Sequence, residues 1–148
     1  MSKERPVDET DIRIIAALRQ DASAPVRVLA RRLGMRPSTL HARVQRLVAR
    51  GVVKRYTVEV DHAKFGDDFL AFVMVKGGPE RYIDEEFLRR TEVEGVYPVT
   101  GEHDLLLKLR FRSLREFNRF VMEFRERYRK HVRETLSMVA LGTLKDGF

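Results

Sequence analysis

Apolar positions in the first part of the chain recur at helical spacing, and punctuating residues divide them into three segments. Asp8 to Asp11 supplies acids and a Thr suited to a helix start, and Ile12, Ile15, Ala16 and Leu18 follow, predicting a helix over about Glu9 to Gln20. Asp21, Ala22 and Ser23 break it. Pro25 sits near the start of a second helix, where its missing N–H costs nothing; Val26, Leu29, Ala30 and Leu33 form the apolar stripe, and Gly34 is a C-terminal cap. Only Gly34, Met35 and Arg36 precede a third helix, from Pro37 to about Arg50. At about 100° per residue, Leu40, Val44 and Leu47 make its core stripe. Ser38, Ala42, Gln45 and Arg46 fall opposite, with Thr39 and Arg43 on one flank and His41 on the other.

The period then changes. Val52, Val53, Tyr56, Val58 and Val60, interleaved with Lys54, Arg55 and Thr57, predict a strand or short ribbon beside the helices. Asp61 to Asp68 is polar, contains Gly66 and reads as a linker. Phe69 to Lys76 is a nearly continuous apolar strand stopped by Gly77, Gly78 and Pro79, and Glu80 to Arg90, acidic early and basic late, predicts a helix. Gly95 to Thr100 is a second strand, placed at an edge by Pro98. The turn Gly101 to Asp104 leads into a third strand, with Leu105, Leu107, Leu109 and Phe111 alternating with Leu106, Lys108 and Arg110. Ser113 and Glu116 form a capping box for a helix with Leu114, Phe117, Val121, Phe124 and Tyr128 on one stripe, and Val132 to about Leu144 is a fourth strand.

Strand, helix, strand, strand, helix, strand predicts a ferredoxin-like βαββαβ domain: an antiparallel four-stranded sheet with two helices, in an α+β chain. The expected division is a three-helix domain over 1–60, a linker over 61–68 and a second domain over 69–148. Two helices cover one sheet face only, yet the first and last strands are apolar on both, so the other face is expected to be buried between subunits of a twofold dimer.

Charge changes the picture of the first domain. Ala22 to Val58 contains no Asp or Glu but nine cations. Residues 1–60 hold 13 basic and 6 acidic side chains and residues 61–148 hold 16 of each, so the whole excess of +7 lies in the first part. A long acid-free run on two short helices joined by a glycine turn reads as a helix-turn-helix facing the polyanion of double-stranded DNA. Small and hydrogen-bonding residues let the third helix approach base edges, and arginines fork onto guanine or phosphate. The candidate contacts are Arg36, Ser38, Thr39, His41, Arg43, Gln45 and Arg46, with Lys54 and Arg55 either reaching phosphates or lying as ordinary exposed charges.

With no Cys, disulfides, Cys-based zinc sites and thiol catalysis are excluded. No apolar run approaches the roughly 20 residues that span a bilayer, and Met1 to Asp8 lacks the apolar core of a signal peptide, so a cytoplasmic protein with no membrane partner is expected. His103 has no second His at a ligand spacing, so neither metal nor cofactor is expected.

The order of parts resembles the Lrp/AsnC family, the feast/famine transcription regulators, over nearly the whole chain. The resemblance is carried by Val7, Asp8 and Asp11 with Ile14, Ile15 and Leu18; by Asp21, Leu29, Ala30, Leu33 and Gly34; by Pro37, Thr39, Arg43, Val44, Arg46, Leu47, Gly51, Val52 and Val53; and by Gly101 to Asp104, Leu105 to Leu107, Thr135 and Ser137. It implies a winged helix-turn-helix, a second domain that forms a homodimer and often a tetramer or octamer, and an amino acid or related metabolite bound between subunits. By residue pattern alone Gly101 to Asp104 is a polar hairpin connection. The resemblance implies instead that Gly101, Glu102, His103 and Asp104, with Thr135 and Ser137, lie near the effector site. Arg36 stands where the family often has Ser before the recognition-helix Pro, which removes a side-chain cap and adds a cation.

The function expected is therefore a sequence-specific transcription regulator modulated by a small molecule, not an enzyme. Two alternatives are a siroheme-decarboxylase-like enzyme, since those enzymes resemble the family in both halves, and a largely nonspecific architectural DNA-binding protein. Neither His41, His62, His103 nor His131 pairs convincingly with another acid or base for proton transfer.

Overall fold

A computed structural model describes residues 6–78 and 82–144. The chain divides into two compact units between Glu59 and Val60. In the first, α1 (Glu9–Gln20), α2 (Val26–Leu33) and α3 (Pro37–Ala49) occupy the expected stretches. The Asp8 carboxylate accepts the Asp11 N–H while the Asp11 carboxylate accepts the Asp8 N–H, a reciprocal cap that starts α1. Gly34, in the left-handed region at φ 68°, ends α2 and turns the chain within three residues into α3, which opens on Pro37. Ile14, Leu29, Ala30, Leu40 and Leu47 are buried at the centre of the three helices, with Val44 and Val53 packed against them.

The strand expected over Val52 to Val60 is absent. Val52 and Val53 donate their N–H groups to the Leu47 carbonyl and so close the end of α3, and residues 54–60 have no regular structure, with Tyr56 and Val58 exposed. Alternation supplied a suitable side-chain pattern, but a strand also needs a neighbour to receive its hydrogen bonds.

In the second unit the stretch expected as linker contains one helical turn, α4 (His62–Phe65), closed by Gly66 at φ 69°. It is followed by β1 (Phe69–Gly77), α5 (Glu85–Leu88), β2 (Val93–Pro98), β3 (Leu105–Phe111), α6 (Leu114–Arg127) and β4 (Val132–Val139). The strands form one antiparallel sheet in the order β2-β3-β1-β4, with Pro98 at the end of an edge strand. The helix expected over Glu80 to Arg90 is a single turn. Glu80 and Arg81 lie outside the described residues, and the Asp84 carboxylate accepts the Phe87 N–H, fixing the start of the helix there. Asp84 is thus the cap rather than a residue of the helix body. β2 begins two residues before the expected strand, and β4 stops at Val139 rather than running on to Leu144.

Ala71, Val73 and Val75 of β1 pair with Leu109, Leu107 and Leu105 of β3, and all six are buried beneath Phe87 of α5 and Phe117, Phe120, Phe124 and Tyr128 of α6. Phe87 meets Phe124 at 5.3 Å and Tyr128 at 5.8 Å between ring centroids, a tilted and edge-on cluster of the kind that aromatic quadrupoles favour. On the opposite face Phe72 pairs with Met138 and Met74 with Leu136, whose side chains are 41% and 48% exposed. The sheet is therefore apolar on both faces and helix-covered on one.

Candidate functional site

The outer face of α3 separates into two sets of residues. Ser38, Thr39, His41, Ala42 and Gln45 are exposed, as is Arg36, whose side chain makes no cap to α3. Arg43 and Arg46 are turned along the flank toward α1. Arg43 Nη1 donates to both oxygens of Asp8 at 2.8 and 2.7 Å and to Asp11 Oδ1 at 2.7 Å, and Arg46 Nη2 reaches both Asp11 oxygens at 3.0 Å. Asp11 is completely buried. These two arginines therefore fasten the third helix to the first, and their guanidinium groups are committed to carboxylates in this unit.

The electrostatics of this clamp are consistent with its geometry. Burial pushes the Asp11 carboxyl up, but hydrogen bonds from Arg43 and the Asp8 N–H, with the charge of Arg46, outweigh it and hold the group below its ordinary range. Asp8 is held low chiefly by the Arg43 hydrogen bond and next by the Asp11 N–H. The signal for the clamp was present in the chain: acids three residues apart at the start of α1 and arginines three residues apart in α3 repeat every turn on facing helices. Lys54 and Arg55 are both exposed beyond α3 and have no ion pair among the described residues.

The expected effector residues lie at one end and one edge of the sheet. Gly101, at φ 120°, and Glu102 are exposed, and Lys76 Nζ lies 3.2 Å from Glu102. Asp104 is bound into the strand ends: its Oδ2 accepts the Gly77 N–H at 2.7 Å, its N–H donates to the Val75 carbonyl and its carbonyl accepts the Val99 N–H. His103 is half-buried. Thr135 pairs with Val75 and Ser137 with Val73, so both face the helix-covered side of β4. β1 lies between them and β3, which places Thr135 roughly 10 Å from the start of β3. Within one chain Thr135 and Ser137 are thus one strand removed from the strand that the turn leads into. A cavity of about 590 Å³ elsewhere in this unit is bounded by His62, Glu92, Arg110, Arg112 and Arg119, and by none of the six.

Asp104 supplies a testable structural role. Replacing it by Ala is expected to cost about 1–2 kcal/mol in urea denaturation, because the Gly77 N–H loses a charged acceptor at the sheet end.

Comparison with known proteins adds what geometry alone does not. Residues 7–48 match the AsnC-type helix-turn-helix domain, and residues 70–148, more than half of the chain, match the Lrp/AsnC ligand binding domain. The chain belongs to the Lrp/AsnC family. It is 34% identical over 118 residues to the HTH-type transcriptional regulator FL11 of Pyrococcus horikoshii, covering 78% of each chain. A solved structure of a feast or famine regulatory protein from M. tuberculosis complexed with L-methionine superimposes with a TM-score of 0.82 at 29% identity, covering 95% of this chain and 96% of that one. A transcriptional regulator from Neisseria meningitidis in complex with L-Met gives 0.82 at 25% identity, over 95% and 94%. This Lrp/AsnC protein is a DNA-binding transcription regulator, and its relatives are transcription regulators rather than enzymes. No helix among the described residues is long and apolar enough to cross a membrane.

Proposed function

We propose that this Lrp/AsnC regulator recognises a specific operator through Ser38, Thr39, His41 and Gln45 on the outer face of α3, with Arg36, Lys54 and Arg55 contacting phosphates. The observation that carries this reading is the division of labour on α3: Arg43 and Arg46 are held by Asp8 and Asp11, while small and amide-bearing residues remain exposed. Small side chains permit close approach to a major groove, and Gln hydrogen-bonds the N6 and N7 edge of adenine. The protein acts as a homodimer or larger assembly. The uncovered apolar sheet face, with Leu136 and Met138 exposed, supports this, and a twofold dimer presents two α3 helices to a palindromic site.

An amino acid or related metabolite bound between subunits near Gly101–Asp104 modulates the regulator. Two similar proteins have been solved with L-methionine, and within one chain Thr135 and Ser137 are separated from the turn, so a second subunit would complete the site. An effector seated there changes DNA affinity by stabilising one assembly over another, a coupling typically worth about 1–3 kcal/mol. The test is a DNA-binding titration with and without each amino acid, beginning with L-methionine, combined with native mass measurement. A shift of roughly 5- to 150-fold with one of them supports the reading. No response in affinity or assembly to any amino acid would remove the effector from it.

A further inference from the structure

The second unit carries as many acidic as basic residues over 61–148, yet the fold does not distribute them evenly. Its acids are largely used up in pairs: Glu92 and Glu123 with Arg90, Glu94 with Arg110 and Lys108, Asp84 and Glu86 with Arg127, Glu85 with Arg89, and Glu102 with Lys76. Arg112, Arg115, Arg119 and Arg125 take part in none of these. All four are exposed and, among the described residues, their guanidinium groups form no ion pair. Arg115 and Arg119 lie on the side of α6 opposite Phe117, Phe120 and Phe124, the residues that bury the helix against the sheet, while Arg112 precedes the helix and Arg125 lies on its flank.

Two features separate this face from an ordinary solvated surface. Arg115 and Arg119 are four residues apart, where like charges destabilise a helix. Arg112 and Arg115 also flank the N-terminus of α6, the end at which the helix dipole disfavours cations. Of the acids of α6, Glu126 lies 3.8 Å from Arg129, Glu123 lies 3.5 Å from Arg90 and Glu116 accepts the Arg112 N–H, so none of them forms an ion pair with Arg115, Arg119 or Arg125.

We propose that the outer face of α6 is a second nucleic-acid contact, gripping the phosphate backbone of duplex DNA without reading sequence. The proposal rests on the DNA binding that family membership establishes and adds a contact outside the helix-turn-helix. A 14-residue helix is about 21 Å long and runs beside several phosphates of one strand, and arginine forks suit phosphate oxygens. No base contact is required.

The test compares the full chain with the Arg115→Gln, Arg119→Gln, Arg125→Gln triple variant on a long duplex of unrelated sequence across a salt series. Gln keeps helix propensity, and removing a like-charge pair leaves the melting temperature unchanged or raised, so a folding defect is recognised independently. The plot of log K against log salt is expected to flatten by about 2.7, near 0.9 for each of the three phosphates that the variant no longer neutralises. A Gln45→Ala control tests the other surface: it should lose operator discrimination and keep the slope. If the triple variant keeps the wild-type slope while the control loses discrimination, the α6 contact is overturned and the α3 reading stands. Reduced retention on heparin or anionic vesicles with an unchanged duplex slope assigns the face to another polyanion and equally overturns the proposal.

Discussion

Replacing Arg43 and Arg46 together by Ala is expected to destabilise the helical unit by about 3 kcal/mol, the low end of what breaking a buried pair costs. The low end applies because the two side chains are 26% and 37% exposed, so part of their charge is already shared with solvent. The loss arises mainly at Asp11, which is fully buried and would be left ionised with only the Asp8 N–H. Adding Asp11→Asn to the double variant should recover part of that loss, since a buried amide needs hydrogen bonds but no counter-charge. If the double variant melts like the wild type, the clamp does not hold α1 to α3.

The clamp also sets a direction with pH. Both carboxyls titrate below their ordinary values in the folded chain, so in acid the folded state binds fewer protons than the unfolded one. Their stabilisation is complete above the unfolded carboxylate value of about 4 and is lost as pH falls through the lower folded values. The wild-type helical unit should therefore lose stability as acid is added below that point. The Asp11→Asn chain should lose less over the same range.

The second large effect concerns recognition. Gln45→Ala is expected to weaken operator binding by about 1–3 kcal/mol while leaving binding to unrelated duplex and the melting temperature unchanged, because an exposed side chain that reads a base edge contributes to discrimination alone. The clamp variant should behave differently. Loss of Arg43 and Arg46 lowers operator binding together with stability, since it removes the support of α3 rather than a group on its outer face. Parallel binding and melting measurements on the two variants separate reading from positioning. An operator affinity for Gln45→Ala equal to that of the wild type would remove this residue from the interface.

These particular residues show what the chain declares about itself and what it withholds. β3 and α6 were legible because each buries one periodic face, Leu105 to Phe111 at period two and Phe117 to Phe124 at helical period. The edge position of β2 followed from the missing N–H of Pro98. Val52 to Val60 misled because alternation describes a side-chain pattern, whereas strand formation depends on a partner that only the fold can supply. Asp84 was placed inside a helix that it caps, since a carboxylate at a cap and one in the first turn look alike in sequence. On α3, angular position put Arg43 on a flank and Arg46 on the outer side, but their long side chains bend to Asp8 and Asp11, and no wheel of one helix contains the acids of another. The candidate effector residues are suggested by family resemblance only, because a turn whose Asp104 binds backbone is indistinguishable by composition from a structural hairpin.

Sequence-specific reading by α3 is tested most directly by one ratio, the affinity of the intact chain for duplexes it selects from a random pool against its affinity for unselected duplex at the same salt. A regulator that reads bases through α3 is expected to give a ratio of about 10³ or more. A ratio near one would contradict it and make the protein a nonspecific packer of DNA.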